Sequence, residues 1–251
     1  MAKPRALITH WVHPEVIERL SGSCEVISNP ARESWPRERV RAEAARCEAM
    51  IAFMPDRVDA AFLAACPKLR VIAAALKGAD NFDLEACTRR GVWLAVVPEK
   101  LAVPTAELAL ALLLAVTRRL LAADDHVRSG AFRGWRPQLY GTGLAGGTLG
   151  IVGMGSVGRA LAPRAAAMGM KVVYADPRPG PVEYGRVPFE ERPRAIHPAL
   201  LADRERTFFT PHLGSAVDDA RREIALEAAE NVLDALAGRR PRGALNEPEP
   251  R

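Results

Sequence analysis

The stretch Gly150-Ile151-Val152-Gly153-Met154-Gly155-Ser156-Val157-Gly158 decides the fold class. Thr148 to Val152 reads as a buried strand and Arg159 to Met168 as a helix, so the glycines fall at a strand-to-helix turn. In that context each has a task. Gly153 permits the tight turn, Gly155 removes the Cβ that would block a phosphate, and Gly158 lets the helix pack close to the strand. The helix N-terminus adds free N–H groups and partial positive charge, so the amides from Met154 through Ser156 to Val157 are candidates to hold a diphosphate. A second apolar strand, Lys171 to Ala175, ends at Asp176, eighteen residues past Gly158. An acid there can accept hydrogen bonds from ribose hydroxyls, which favours NAD over NADP, while Arg178 leaves some tolerance for a 2'-phosphate. A glycine turn with no ligand is the alternative, and strand, helix and acid together argue against it.

Outward from this unit the chain keeps the same rhythm. Before it, short apolar runs at Ala6 to Thr9, Cys24 to Ser28, Ala49 to Phe53, Val71 to Ala74 and Val92 to Val96 alternate with helical stretches such as Arg37 to Cys47 and Ala60 to Ala65. That alternation is the signature of parallel α/β architecture. A helix is expected from Thr105 to His126, with Thr105 as cap and Glu107 in the first turn. Its face of Leu108, Leu112, Leu113, Val116 and Leu120 is apolar enough to require burial, in an interdomain or a subunit contact. A last helix runs from Asp218 to Leu236 and stops before Gly238, and the Pro-rich tail beyond is expected to fray.

Composition sets bounds. At 251 residues the chain has room for two domains. A net charge of +5 comes from 35 basic residues spread along the chain, with aromatics at 6%, so no nucleic-acid footprint stands out and the excess suits small anions. Cys24, Cys47, Cys66 and Cys87 stand singly, which fits reduced buried thiols of a cytoplasmic protein and disfavours a metal site. The N-terminus shows no long apolar leader, and the longest apolar run, Leu108 to Val116, is too short to cross a membrane.

Several segments carry more specific information: AFMPDRVDA (52–60), CPKLRV (66–71), LKGADNFD (76–83), ACTRRGVWL (86–94), VPTAEL (103–108), VRSGAFRGWRPQLYGTGL (127–144), GMGSVG (153–158) and FFTPHLGSAV (208–217). On these the chain resembles the D-2-hydroxyacid dehydrogenase family, and within it the phosphonate (phosphite) dehydrogenases. The resemblance implies two doubly wound parallel-sheet α/β domains, Rossmann-like and flavodoxin-like. Residues 1–98 would form the substrate domain, 99–213 the NAD-binding domain and 214–251 a helix returning to the first. It also implies NAD as cofactor, a homodimer, and a small anionic substrate: phosphite, oxidised to phosphate, or alternatively a small 2-hydroxy acid. Lys77 matches the family's substrate-binding lysine, with the Gly78 N–H alongside it, and with 5 lysines in the chain that choice is an unusual one. Met54 matches an apolar wall of the substrate site and Arg221 an arginine approaching from the last helix. His212, in TPHLGSA, matches the catalytic general base, followed by Gly214 and Ser215 at the cofactor. Thr105, Trp135 and Tyr140 match positions around the cofactor cleft, where capping and packing explain them equally well. The other histidines, at 10, 13, 126 and 197, read as structural or surface residues.

The chain also departs from the family. Only 35 residues, Pro177 to Pro211, separate Asp176 from His212, and 7 of them are proline. A βαβ unit takes roughly 30 residues, so a full six-strand domain does not fit. Strands at Tyr184 to Phe189 and Thr207 to Thr210 do. By comparison with the family, a block is missing between Glu191 and Arg192, and with it an arginine that clamps the anion and a glutamate that orients the histidine. The expectation is an internally shortened chain with weak or no turnover, at the limit a silent NAD(H)-binding remnant.

Overall fold

The computed structural model describes residues 2–178, 180–181, 183–188, 198–203 and 207–249. These form two compact units, 1–101 with 217–251, and 102–216. The expected junction at Glu191 and Arg192, His197 and the end of the Tyr184–Phe189 run lie outside the described residues.

The first unit is a five-stranded parallel sheet in the order β2-β1-β3-β4-β5. Its strands are β1 (Arg5–Ile8), β2 (Glu25–Ser28), β3 (Ala49–Ala52), β4 (Val71–Ala74) and β5 (Trp93–Ala95). Between them lie α1 (Pro14–Ser21), α2 (Arg37–Ala44), α3 (Ala60–Ala65) and α4 (Leu84–Arg89). Successive side chains of a strand point to opposite faces. Leu7, Met50, Ile72 and Leu94 accordingly pack on one face against Phe62, Leu63, Ala86 and Val40 of α2, α3 and α4. Ala6, Ile8, Ile51, Val71 and Ala73 pack on the other against Val16 and Leu20 of α1. The last helix, α9 (Asp218–Leu236), lies on that second face through Ile224, Ala228 and Val232. Both faces are covered, which is why β3 and β4 are apolar at every position and fully buried. Asp59 and Asp83 cap α3 and α4 by accepting hydrogen bonds from the Phe62 and Ala86 amides.

The tail corrects the expectation of fraying. Gly238 ends the helix at φ 77, but the chain beyond it is fastened to β5. The Val96 amide donates to the Gly243 carbonyl and the Leu245 amide to the Leu94 carbonyl. The buried Asn246 side chain accepts from the Leu94 amide and donates to Val92 O and Thr88 Oγ1. The edge of the sheet is thereby covered rather than left as an open template.

The second unit holds α5 (Ala102–Thr117), α6 (Leu120–Arg128), β6 (Thr148–Val152), α7 (Ser156–Ala167), β7 (Lys171–Ala175), β8 (Gly185–Arg186) and α8 (Pro198–Ala202). Its sheet is parallel, in the order β6-β7-β8. Five expectations change here. The single helix from Thr105 to His126 is two, broken where Arg119 adopts φ 52. The cause is tertiary: the Thr142 amide donates to the Thr117 carbonyl, with Gly141 so close that a Cβ would stand 2.1 Å from that oxygen. Because the first of these helices starts at Ala102, Thr105 lies inside it and is not its cap. Thr207–Thr210 is not a strand, and β6 is not buried as expected, since only Ile151 in it is inaccessible. Among the described residues no strand pairs with its outer edge. The leucines of α5 are half-buried, and Leu120 of α6 is 51% exposed, so this apolar face is not enclosed.

All four cysteines are buried free thiols. Burial pushes Cys87 up to about 12, with Asp83 adding to it, and pushes Cys47 and Cys66 up to about 11. Thiolates are the reactive form. The native chain is therefore expected to resist a thiol reagent at neutral pH and to react only on unfolding. Because these folded pKa values lie above the ordinary value of 9.0, the native state holds protons that the unfolded chain loses. Their contribution is complete below pH 9 and is lost as pH rises towards about 11 to 12. Urea midpoints measured across that interval should fall.

Candidate active site

The glycine turn has the geometry that its sequence called for. Gly153 sits at φ 97, a region that disfavours side chains. A Cβ on Gly158 would meet the Gly153 carbonyl oxygen at 2.2 Å, so only glycine allows α7 this close to β6. Gly155 is the N-cap residue, and a Cβ built on it meets nothing within 4 Å. The space above the helix N-terminus is open, and any side chain at 155 would project into it. The loop therefore fits a dinucleotide diphosphate, with Ser156 and Val157 opening the helix.

The Met154 amide donates to Asp176 Oδ2 at 2.8 Å, so it braces the acid and is not free for a phosphate. Asp176 Oδ1 accepts from the Arg178 amide. These two backbone bonds, Arg178 first and Met154 second, hold the carboxyl below the usual carboxylate range. An ionised acid with lone pairs to spare is held beside the turn, where ribose hydroxyls would need it. Arg186 donates to the Asp176 and Pro177 carbonyls, fixing the strand end.

In the first unit the matched substrate residues gather at the carboxyl ends of the parallel strands. That is where open α/β sheets bind ligands, most often where strand order reverses; here the reversal falls between β1 and β3. Met54 follows β3 and is 43% exposed. Lys77 and Gly78 follow β4 and are exposed. Arg221, three residues into α9, lies with its guanidinium carbon 5.8 Å from the centre of the Phe53 ring. Burial pushes its pKa down, and among the described residues no carboxylate faces it. A pocket of about 250 Å³ brings Met54 and Arg221 together with His10, Trp11, Arg32 and Phe53. Of these, only Met54 and Arg221 have a site role in the sequence reading; His10 reads there as structural or surface, and Trp11, Arg32 and Phe53 have none. His10 has a buried acid behind it, with its Nε2 3.8 Å from Asp56 Oδ1. His13 pairs with Asp218 at 3.0 Å, as a structural histidine should.

In the second unit, His212 is exposed and adopts φ 59, its amide donating to the Thr210 carbonyl. Among the described residues no acid partners its imidazole. Gly214 lies against Thr105, whose Cγ2 would be 2.8 Å from a Cβ at that position, so the segment after His212 rests on the start of α5. Ser215 is half-buried beside it. Trp135 and Tyr140 are 83% and 69% exposed, which excludes packing within this unit as their reason. No metal cluster occurs among the described residues, and no helix of these is long and apolar enough to cross a membrane.

A parallel sheet opening through a glycine turn at a helix N-terminus, with an acid at the end of the next strand, defines a dinucleotide-binding α/β protein. The profile of the D-isomer specific 2-hydroxyacid dehydrogenase family, catalytic domain, matches residues 6–246. The chain belongs to that family, whose members are NAD-dependent dehydrogenases. It is 40% identical over 177 residues to glyoxylate reductase of Thermococcus litoralis, covering 68% of this chain and 54% of that protein. Glyoxylate reductase of Aeropyrum pernix is 37% identical over 179 residues, covering 69% and 53%. The chain thus spans about half the length of the curated relatives it matches. Among solved structures, the TT0316 protein of Thermus thermophilus superposes with a TM-score of 0.86 at 28% identity, over 96% of this chain and 100% of that one.

Proposed function

We propose that the chain is an NAD-dependent oxidoreductase for a small 2-hydroxy acid and its 2-oxo counterpart. The open space at Gly155, with Asp176 ionised beside it, is the observation that carries the cofactor half. The substrate half is supported by likeness to proteins named glyoxylate reductase. When bound, the nicotinamide exchanges hydride with the substrate carbon. The chain's own residues do the rest in this reading. Lys77 and the Gly78 N–H hold the carboxylate, and Arg221 approaches the substrate from α9. The His212 imidazole takes the hydroxyl proton in oxidation and returns it to the carbonyl oxygen in reduction. Residues 1–98 and 214–251 serve the substrate, and 99–213 the cofactor.

The second reading is oxidation of phosphite, favoured by the segments LKGADNFD and GWRPQLYGTGL. In either case the glutamate and arginine expected between Asp176 and His212 have no counterpart that can be named, so turnover is slow. A histidine without its carboxylate loses its fixed tautomer and the stabilisation of its protonated form. The half-exposed leucines of α5 support a homodimer that covers them.

Purified chain should enhance NADH fluorescence and oxidise NADH with glyoxylate. His212→Gln should slow that turnover by about a hundredfold or more with NADH binding retained. Failure to bind NADH overturns the proposal, binding without turnover of any acid or of phosphite leaves a silent nucleotide-binding remnant, and NADH formation from phosphite selects the second reading.

A further inference from the structure

The pocket at the reversal of strand order carries more charge than a two-carbon acid can use. Arg32 follows β2, His10 and Trp11 follow β1, Phe53 and Met54 follow β3, and Arg221 reaches in from α9. Arg32 stacks on Trp11, its guanidinium carbon 4.4 Å from the ring centre, while Arg221 lies near Phe53. Several arginines of this unit meet acids, Arg5 with Glu25, Arg19 with Glu230, Arg37 with Asp59 and Arg222 with Asp219, while Arg39 stacks on Trp35 outside this pocket. Among the described residues, Arg32 and Arg221 have no hydrogen-bond or carboxylate partner. Asp56, beside the lining residue His10, is buried and already engaged, accepting from Thr9 Oγ1 at 2.5 Å and from the Phe53 amide at 2.7 Å. Its other oxygen faces His10 from behind the pocket wall. The lining is therefore cationic, with aromatic planes that fix two guanidiniums and leave their N–H edges uncommitted.

Lys77 does not line this pocket; it follows β4, next to β3 in the sheet. Neighbouring strands lie about 4.8 Å apart, so the ends of β4 and β1 are separated by roughly 10 Å. A five-carbon diacid spans about that distance once its two terminal carboxylates and a hydrogen bond of about 2.9 Å at each end are counted.

We propose that this pocket binds a second acidic group on the substrate, so that the chain takes 2-hydroxy acids carrying a distal carboxylate or phosphate, with Arg32 as the specificity-determining residue. The inference rests on the 2-hydroxy acid reading above. Its test uses the full chain with NADH present and isothermal titration with 2-hydroxyglutarate, 2-hydroxyvalerate and glutarate. 2-Hydroxyglutarate should bind at least about tenfold more tightly than 2-hydroxyvalerate, and Arg32→Gln should erase that preference without changing the affinity for 2-hydroxyvalerate. Arg32 is exposed, so the variant should fold, and Arg32→Lys should restore part of the preference. Repeating the titration with the phosphate ester of a 3-carbon 2-hydroxy acid, about the shortest such tail that spans the gap, separates carboxylate from phosphate. Equal binding of the two hydroxy acids in wild type and Arg32→Gln overturns the subsite while the hydroxy-acid reading stands. Arg32-dependent binding of glutarate with no gain from the hydroxyl supports the subsite and removes that reading. Binding of none of the three removes both.

Discussion

Replacing Gly155 with valine should abolish NADH binding and leave the fold intact. The position is extended-backbone N-cap, φ −75, and contributes no side-chain cap, while a Cβ there meets no atom within 4 Å. Nothing in the protein resists the substitution. The new methyls fill the space that a diphosphate must enter to reach the helix N-terminus, so affinity should drop by at least about a hundredfold, or about 2.7 kcal/mol. Gly158→Val is the contrasting variant. Its Cβ would lie 2.2 Å from the Gly153 carbonyl oxygen and 3.3 Å from Ile151 Cγ2, so β6 and α7 must separate. That overpacking should destabilise the second unit by about 1–3 kcal/mol as well as weaken the cofactor. Fluorescence titration with NADH beside a thermal melt distinguishes the two. If Gly155→Val binds NADH within about threefold of wild type, the open space above α7 is not the cofactor's and the nucleotide reading fails.

Much of this architecture was legible because the physics behind it is local. The strands of the first unit announce themselves as short apolar runs, and Val71–Ala74 and Ala60–Ala65 fall where the pattern sets them. The roles of Gly153 and Gly158 follow from backbone sterics alone. What sequence missed depends on contacts from afar. No glycine or proline marks the break after Thr117; the segment around Gly141 makes it by capturing that carbonyl. The tail is Pro-rich and without period, yet it is pinned through Asn246, whose single amide serves three backbone and hydroxyl groups. Arg32 is one of many arginines in the chain, and only the fold shows that it lacks an acid while others have one. The Met154 amide reads from sequence as a phosphate ligand because periodicity cannot reveal that Asp176 has already taken it.

Removing the tail should be costly to the first unit, since it forms the edge of the sheet there. Asn246 is buried, with its oxygen on the Leu94 amide at 2.9 Å and its nitrogen on the Val92 carbonyl at 3.0 Å. Asn246→Ala leaves the buried Leu94 amide of β5 and the Val92 carbonyl just before it without these partners. Each such group costs about 1–3 kcal/mol, so a loss of about 2–6 kcal/mol is expected. Asn231, on α9, secures the same segment by accepting from the Gly243 amide at 3.1 Å and donating to the Val96 carbonyl at 3.3 Å. Ending the chain after Arg242 removes all of these contacts except the Asn231–Val96 bond and uncovers the N–H and C=O groups of β5, inviting strand pairing between molecules. Urea unfolding followed by tryptophan fluorescence, to which Trp93 on β5 contributes, should show a lower midpoint for Asn246→Ala with an unchanged slope. The truncated chain should aggregate at concentrations where the full chain stays dispersed. A midpoint shift equivalent to less than about 0.5 kcal/mol would mean that water replaces Asn246 without loss, and that the strand does not depend on its C-terminal strap.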